Sequence, residues 1–354
     1  MLKLNIGKLE ALTQLLQREI PSKIPGAVIS IGIDKEVIYK KTIGFAENKN
    51  GITRLMQEDT LFDLASLTKV TATLPSVLSL IDDGKILLTD PVSKFIPEFA
   101  EGNKSAVTVR HLLTHTSGLP PFRLYYKDYS IKEDILRAVR RESLENDPGS
   151  AVVYSDLGFI LLGQIVEEVT EKSLDIYAKE RIFDPLRMTN TCFCPSEDKK
   201  LSCAATEEMF GNPPKVGVVH DENAQALQGI SGHAGLFAPM SDLIKYVQFW
   251  VDMKQDVLSP AIKRISTSLQ TSKLEGNRGL GWVCRHDVYD HVGDLWPETT
   301  VGHTGFTGTS LAFDIDSRLW MVVLTNDVHY GREHKTIVRL RRVMHNLVGA
   351  ALMF

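Results

Sequence analysis

The sequence of 354 residues has no long hydrophobic run and little excess of charge of one sign. No apolar stretch approaches the roughly 18 residues that a membrane-spanning helix needs, so we predict no membrane span. The formal net charge is −4, and without a broad basic surface we expect no nucleic acid as a partner. The longest basic stretch, residues 339–342, falls on a predicted C-terminal helix, and we interpret it as a solvent-exposed face.

Cysteine is scarce. The chain has four cysteines, and three of them, Cys192, Cys194 and Cys203, lie close together in the sequence. A structural zinc site normally needs four ligands in paired spacings, and this cluster contains no histidine. We therefore expect ordinary reduced thiols, no metal and no cofactor.

The N-terminal segment lacks the pattern of a signal peptide, because charged residues such as Lys8 and Glu10 interrupt any apolar core. Its leucines instead follow the spacing of one face of an amphipathic helix. The expected location is therefore cytoplasmic, or secreted or periplasmic if a leader has been removed.

Strand patterns occur near both ends of the chain, and helical patterns dominate its middle. The predicted strands cover residues 27–33, 37–43, 311–315 and 319–324, with a turn at 34–36 that makes the first two a hairpin. The predicted helices cover residues 67–84, 107–113, 131–141, 156–170 and 335–348. Pro75 falls inside the first of these helices and should bend it.

This distribution predicts an α/β fold of the α+β type, organised as a single domain over residues 1–354. An antiparallel sheet would be flanked by the N- and C-terminal helices, with a mainly helical lobe beside it. The α/β lobe would comprise residues 1–65 with 230–354, and the helical lobe residues 66–229. A cleft between two such lobes is the usual place for an active site.

A Ser-x-x-Lys motif, Ser66 to Lys69, stands where an extended segment gives way to a predicted helix. Residues at i and i+3 share a helix face, so the Lys69 amine can lie beside the Ser66 hydroxyl and take its proton. A serine in this position can also simply cap the helix. The motif recurs at Ser196 and Lys199 in a polar run with no apolar helix behind it, which indicates a surface loop.

Two further segments carry candidate catalytic groups. Tyr154 is a second candidate base, because a phenolate beside a lysine ammonium is more accessible than one in water. Ser155 or Asp156 could equally cap the helix that follows. His303 belongs to a glycine-rich segment, residues 302–310, where two N–H groups aimed at one oxygen would form an oxyanion hole. The alternative there is a surface β-turn.

Together, in this order, the three motifs resemble the serine β-lactamase and penicillin-binding protein superfamily. Within it they resemble the class C β-lactamase-like branch, which holds esterases, D-peptidases and muramoyl-L-alanine amidases. The pattern of that branch is Ser-x-x-Lys, Tyr-x-Asn and Lys/His-Thr-Gly. The corresponding segments here are Ser66-x-x-Lys69, Tyr154-x-Asp156 and His303-Thr304-Gly305. Residues 90–92, 111–119 and 229–237 also read like members of this branch. Residues 219–224 followed by 232–235 more narrowly resemble its β-lactamase-like hydrolases, some of which act as N-acetylmuramoyl-L-alanine amidases.

The resemblance implies a β-lactamase/transpeptidase-like fold and a serine acyl-transfer reaction. Ser66 would attack the carbonyl carbon, while Lys69 and Tyr154 would shuttle its proton to the leaving group. The backbone N–H groups of Ser66 and Phe306, the second of which follows Gly305, would hold the oxyanion.

His303 and Asp156 would line the substrate site, and both depart from the pattern of the lactamases. Histidine stands where lactamases often have lysine, so a positive charge at this place would depend on pH. An ionised Asp156 accepts hydrogen bonds but cannot donate them as asparagine does, which favours a substrate N–H or a cation. Both departures point away from an efficient β-lactamase and suit a peptidase, amidase or esterase.

The segment His220-Asp221-Glu222 would by itself be a candidate set of metal ligands. No second cluster of ligands accompanies it in the sequence, so we interpret it as structural or as lining the substrate site.

The predicted function is that of a serine acyl hydrolase acting on a peptidoglycan-derived peptide or muropeptide. The alternatives are a small-ester carboxylesterase and a weak β-lactamase. A sensor that binds penicillin or muropeptides without turnover is the alternative from another class. The expected partner is thus a small-molecule or peptide substrate.

Overall fold

The computed structural model describes residues 2–208, 213–254 and 256–353. Its strands, in chain order, are β1 (Lys3–Leu4), β2 (Gly26–Ile33), β3 (Glu36–Lys49), β4 (Ile52–Leu55), β5 (Phe62–Asp63), β6 (Cys192–Phe193), β7 (Leu236–Ala238), β8 (Val283–Cys284), β9 (Val301–Thr304), β10 (Ser310–Phe313), β11 (Leu319–Thr325) and β12 (Leu352–Met353). Its α-helices are α1 (Glu10–Glu19), α2 (Leu74–Asp82), α3 (Val109–Leu113), α4 (Tyr125–Asp128), α5 (Lys132–Arg141), α6 (Asp156–Thr170), α7 (Leu174–Ala178), α8 (Glu197–Lys200), α9 (Glu222–Ala226), α10 (Met240–Val251), α11 (Pro260–Thr267) and α12 (Thr336–Ala350).

A seven-stranded antiparallel sheet joins the two ends of the chain, in the order β4-β3-β2-β11-β10-β9-β8. The N-terminal and C-terminal strands meet where β2 pairs with β11, from Ile33 opposite Leu319 to Ala27 opposite Thr325. The predicted α+β fold with one antiparallel sheet is therefore confirmed. A smaller sheet, β5-β7-β6, leads into the turn that carries Ser66.

Both faces of the large sheet are covered, and β11 shows how. Met321 and Val323 point to a core formed with α1 and α12, while Val322 and Leu324 point to the larger core on the other face. Successive side chains of a strand alternate between faces, so a strand buried on both sides is apolar throughout. The two terminal helices thus cover one face of the sheet, as predicted.

The helices predicted over 131–141, 156–170 and 335–348 are confirmed as α5, α6 and α12. Within the described ranges, every helix is too short or too polar to cross a bilayer. All four cysteines carry free thiols. The division into two lobes at residues 65/66 and 229/230 stays a prediction.

The helix after Ser66 differs from the predicted single helix bent at Pro75. A π-helical turn, Lys69–Thr73, comes first, and α2 then begins at Leu74, so Pro75 lies in its first turn. The Leu74 N–H donates to the carbonyl of Lys69, and proline has no N–H for the carbonyl of Val70. The Tyr246 hydroxyl donates to that carbonyl instead. The break thus lies before the proline, where a side chain from α10 satisfies the backbone.

The basic stretch 339–342 is also placed differently from the prediction. Arg339 and Arg342 are exposed, but Arg341 is buried on the inner face of α12. A helix turns by about 100° per residue, so neighbours in a short basic run face different surroundings. The prediction of a solvent-exposed face is therefore wrong for Arg341.

Helix α6 packs closely against the segment around Gly232. A Cβ atom at position 232 would lie 2.0 Å from the carbonyl oxygen of Phe159. The Gly232 carbonyl in turn accepts a hydrogen bond of 2.7 Å from the Thr73 hydroxyl. This contact fixes the segment that continues into the active site.

We expect Gly232→Ala to lower the free energy of unfolding by about 1–3 kcal/mol, because the added methyl group overlaps the backbone of α6. The control is Gly158→Ala in α6, where a Cβ would meet only ordinary contacts of 3.7 Å or more. There the exchange should be neutral or should stabilise by about 0.5–1 kcal/mol. Urea titration of both variants measures the difference. Equal midpoints would contradict the close packing.

Candidate active site

Ser66 lies on a sharp turn between β5 and the helical segment, as the sequence predicts. The preceding residue, Ala65, has a positive φ of 46°, which is unfavourable for a residue with a side chain. The carboxylate of Asp63 stabilises the turn by accepting hydrogen bonds from the N–H of Ala65 at 2.8 Å and of His220 at 2.6 Å. Strain held by surrounding bonds in this way is common at active sites.

Lys69 is completely buried, and its ammonium group lies at the centre of the site. Nζ donates to Oγ of Ser66 at 3.1 Å and to the carbonyl oxygen of His233 at 3.0 Å. It also forms an ion pair with Oδ1 of Asp156 at 2.7 Å. Burial acts to lower the pKa of Lys69, but the negative charge of Asp156 and the neighbouring Tyr154 more than offset it. The pKa of Lys69 is raised, so the amine is protonated at rest.

Tyr154 lies beside this pair, with the centre of its ring 5.1 Å from Nζ of Lys69. Burial raises the pKa of the Tyr154 phenol, although Lys69 and the Ser66 hydroxyl act in the opposite direction. Asp156 raises the pKa further. The three groups predicted to carry the chemistry are therefore brought together, with both base candidates protonated.

Of the two candidate caps of α6, Ser155 caps the helix and Asp156 does not. The Ser155 side chain caps α6 by accepting from the Gly158 N–H, and it donates to the carbonyl of Pro120 at 2.7 Å. Asp156, the first residue of α6, is thereby left to contact Lys69. The prediction that Asp156 faces the substrate amide omitted this ion pair.

His115 positions Tyr154, a role that sequence reasoning did not find. Its ring lies 4.6 Å from that of Tyr154, and Nδ1 accepts a hydrogen bond of 3.1 Å from the Ser155 N–H. Burial lowers the pKa of His115 well below its usual value, so the imidazole is neutral and able to accept. Its own φ of 58° was a further sign of a constrained position.

His303 is neutral, contrary to the expectation of a charge that changes near physiological pH. Burial, assisted by the positive charges of Lys69 and Arg278, lowers the pKa of His303 to about 3. Its Nδ1–H donates to the carbonyl of Thr304 at 2.9 Å, and its ring lies 5.9 Å from that of Tyr154. A desolvated imidazole between two cations does not take up a third positive charge.

The loop between β9 and β10, residues 305–309, is tied to the segment before Ser66. The hydroxyl of Thr307 donates to the carbonyl of Asp63 at 2.7 Å, and that of Thr309 to the carbonyl of Leu64 at 3.1 Å. A Cβ atom at Gly305 would lie 2.3 Å from the Leu64 oxygen, so only glycine allows this approach. These bonds hold the backbone of Phe306 beside the Ser66 turn.

The site opens into a cavity of about 300 Å³ that contains a cation the sequence analysis did not single out. Arg278 is buried, and one end of its guanidinium pairs with Oδ1 of Asp287 at 3.1 Å. Its Nε and Nη1 atoms have no hydrogen-bond partner within the described part of the chain. The guanidinium lies 5.7 Å and 5.1 Å from the ring centres of Tyr154 and Tyr289. Tyr289 is half exposed and borders the opening.

The segment His220-Asp221-Glu222 forms a network behind Lys69. The Asp221 carboxylate accepts from Nε2 of His233 at 2.9 Å, and it also caps α9 through the Ala224 N–H. His220 bonds to Glu207 at 3.0 Å, and its ring stacks on that of Phe306 at 5.5 Å. The network thus supports the His233 carbonyl that receives the Lys69 ammonium, in line with the structural interpretation.

Comparison with known proteins agrees with this geometry. The sequence matches the family model described as "Beta-lactamase" over residues 12–343. A relative from Escherichia coli (strain K12), named "Putative D-alanyl-D-alanine carboxypeptidase", is 32% identical over 369 residues, covering 92% of this chain and 83% of the relative. A relative from Bacillus subtilis (strain 168), named "N-acetylmuramyl-L-alanine amidase", is 31% identical. The match covers 91% of this chain and 81% of the relative.

A solved structure described as a class C beta lactamase has the same fold. It superposes with a TM-score of 0.73 at 20% identity, covering 97% of this chain and 96% of that one. The resemblance inferred from the three motifs is thereby confirmed. The chain belongs to the beta-lactamase family, alongside relatives named as peptidase and amidase.

Proposed function

We propose that the protein is a serine hydrolase that forms an acyl-enzyme at Ser66 and cleaves an amide or ester bond. The proposed substrate is a peptidoglycan-derived peptide or muropeptide. The observation that carries the proposal is the contact of the buried Lys69 ammonium with Oγ of Ser66 beside the Tyr154 ring, at the base of an open cavity. A serine becomes a nucleophile when a neighbouring group takes its proton.

In the proposed reaction, Oγ of Ser66 attacks the substrate carbonyl carbon while its proton passes to the pair formed by Lys69 and Tyr154. One of these two groups must first lose a proton, because the pKa values of both are raised at rest. The pair then protonates the leaving amine or alkoxide, and water hydrolyses the acyl-enzyme. Two groups in contact titrate together. The apparent pKa that the pH profile of the rate reports therefore describes the pair rather than either residue alone.

The backbone N–H groups of Ser66 and Phe306 are the proposed oxyanion donors. Neither donates a hydrogen bond to another group among the described residues. The bonds from Thr307 and Thr309 to the segment before Ser66 keep the two backbones adjacent. Preorganised donors of this kind are often the largest contribution to rate acceleration in acyl transfer.

The partly unpaired guanidinium of Arg278 supports a substrate with a carboxylate. Buried N–H groups without a partner are unfavourable, and a ligand carboxylate would give one of them a charged acceptor. The names of the two relatives, a carboxypeptidase and an amidase, suit a peptide or muropeptide of this charge. A penicillin carries a carboxylate too, and a neutral ester carries none, so both belong in the test.

The first test mixes wild type and Ser66→Ala with a muramoyl-L-alanyl peptide, a D-Ala-D-Ala peptide, a penicillin and an activated ester. We expect an adduct on wild type and product release that both disappear in Ser66→Ala, because the acyl group has no other attachment point. Time-resolved intact mass follows the adduct, and chromatography follows the products. Unchanged turnover in Ser66→Ala would refute the mechanism, and a stable adduct without turnover would favour a sensor.

The second test concerns Arg278. We expect Arg278→Gln to lower kcat/KM about 10- to 100-fold on a peptide with a free carboxylate, the range for a hydrogen bond to a charged group. The same peptide with its carboxylate amidated should be affected little. The double variant Arg278→Gln/Asp287→Asn removes both charges of the buried pair, so it controls for instability caused by an unpaired Asp287. Arg339→Gln controls for the loss of a positive charge at the surface. Equal losses on both peptides would exclude carboxylate binding by Arg278.

The third test concerns pH. The negative charge of Asp156 raises the pKa of both Lys69 and Tyr154, so Asp156→Asn should lower both. The fraction with a free base then rises at a given pH, and the ascending limb of kcat/KM should move by about one unit to lower pH. The control is Asp128→Asn, at an exposed carboxylate of α4. A limb that stays in place, or moves to higher pH, would show that Asp156 does not control the base.

A further inference from the structure

Arg341 reaches from α12 to the loop that carries Phe306. It is buried, and its Nη2 donates to the carbonyl oxygens of Gly305 at 3.1 Å and Thr309 at 2.8 Å. The Thr309 carbonyl also accepts from the Gly305 N–H at 2.7 Å. One guanidinium thus connects the two ends of the loop.

The bond to Gly305 bears on the proposed oxyanion donor through the geometry of a single peptide group. The carbonyl of Gly305 and the N–H of Phe306 belong to the same planar trans peptide and point in opposite directions. A donor that holds the carbonyl toward α12 therefore turns the Phe306 N–H away from α12. If this peptide rotated, the N–H would no longer face an oxygen bound beside Ser66.

The loop is held from two sides. Hydroxyl groups of Thr307 and Thr309 bind it to the segment before Ser66, and these fix its distance from the nucleophile. Among the described residues, the Gly305 carbonyl accepts from the side chain of Arg341 and, at 3.2 Å, from the Gly308 N–H of the same loop. Of these two donors, Arg341 is the one outside the loop and acts on the orientation of the Phe306 peptide, whereas the threonine hydroxyls act on its distance from Ser66.

We propose that Arg341 is a positioning residue that orients the Gly305–Phe306 peptide so that the Phe306 N–H faces the oxyanion. The proposal rests on the acyl-enzyme function proposed above. It assigns the two buried arginines of the cavity different tasks. Among the described residues, Nε and Nη1 of Arg278 have no partner, whereas Arg341 binds two backbone carbonyls through Nη2 and leaves its Nε without a partner. Arg341 also lines the cavity, so direct binding of a substrate carboxylate is the rival that the test must separate.

The test compares Arg341→Met and Arg341→Lys with Arg339→Met, an exposed arginine of the same helix. Acylation is measured with a neutral activated ester and with a peptide that carries a carboxylate. We expect Arg341→Met to slow acylation about 10- to 100-fold on both substrates, with KM changed little. Complete loss of one oxyanion donor costs about 10²- to 10³-fold, which sets the upper limit. Arg341→Lys should recover part of the rate, since an ammonium can still reach one carbonyl.

A spectroscopic measurement separates positioning from general damage to the fold. The infrared carbonyl frequency of the acyl-enzyme reports the hydrogen bonds to the acyl oxygen. We expect it to rise in Arg341→Met and Arg341→Lys and to stay at the wild-type value in Arg339→Met. Each variant is first checked for its melting temperature. If the Met variant does not fold, the Lys variant carries the comparison.

Three outcomes overturn the inference. If both Arg341 variants have the rates and carbonyl frequencies of Arg339→Met, the contact of Arg341 with the loop is not needed for acylation. A loss confined to the carboxylate-bearing peptide would make Arg341 a substrate ligand. A slower rate with an unchanged carbonyl frequency would assign the effect to general structure. Absence of Ser66-dependent acylation in wild type would instead refute the proposed function, so the two failures are distinguishable.

Discussion

The buried ammonium of Lys69 is the constraint on which the rest of the site depends. A fully buried charge must find its partners inside the protein, because an unpaired one is strongly destabilising. Its partners come from separate parts of the chain: Ser66 one turn away, Asp156 at the start of α6, and the carbonyl of His233. Each of these segments is therefore held in place partly by the same buried charge.

The fold meets this constraint with side-chain hydrogen bonds that tie neighbouring backbone segments together around Ser66. The turn at Ala65 is stabilised by Asp63, and the glycine-rich loop is bound to the same segment by two threonine hydroxyls. Close contacts at Gly305 leave no room for a side chain. A site built from such contacts needs little rearrangement when charge develops on a substrate oxygen, which is how preorganised sites accelerate acyl transfer.

Arginine and lysine side chains carry the positive charge of the site, and the histidine of the His-Thr-Gly motif carries none. His303 is neutral because it is desolvated between cations. Arg278 is a buried cation beside Tyr154 in the same cavity, so a histidine in place of the motif lysine does not leave the site without a cation.

The sequence by itself determined those features that depend on residues close in the chain. These include the spacing of Ser66 and Lys69 on one turn, the strands at both ends, and the helix over 156–170. Only the tertiary structure decided the ion pair of Asp156 with Lys69, the protonation of His303, and the inward positions of Arg278 and Arg341. A local pattern encodes which residues share a turn or a face. The burial, charge state and partners of a side chain depend on segments distant in the chain that pack against that face. The linear sequence does not give the distances between those segments.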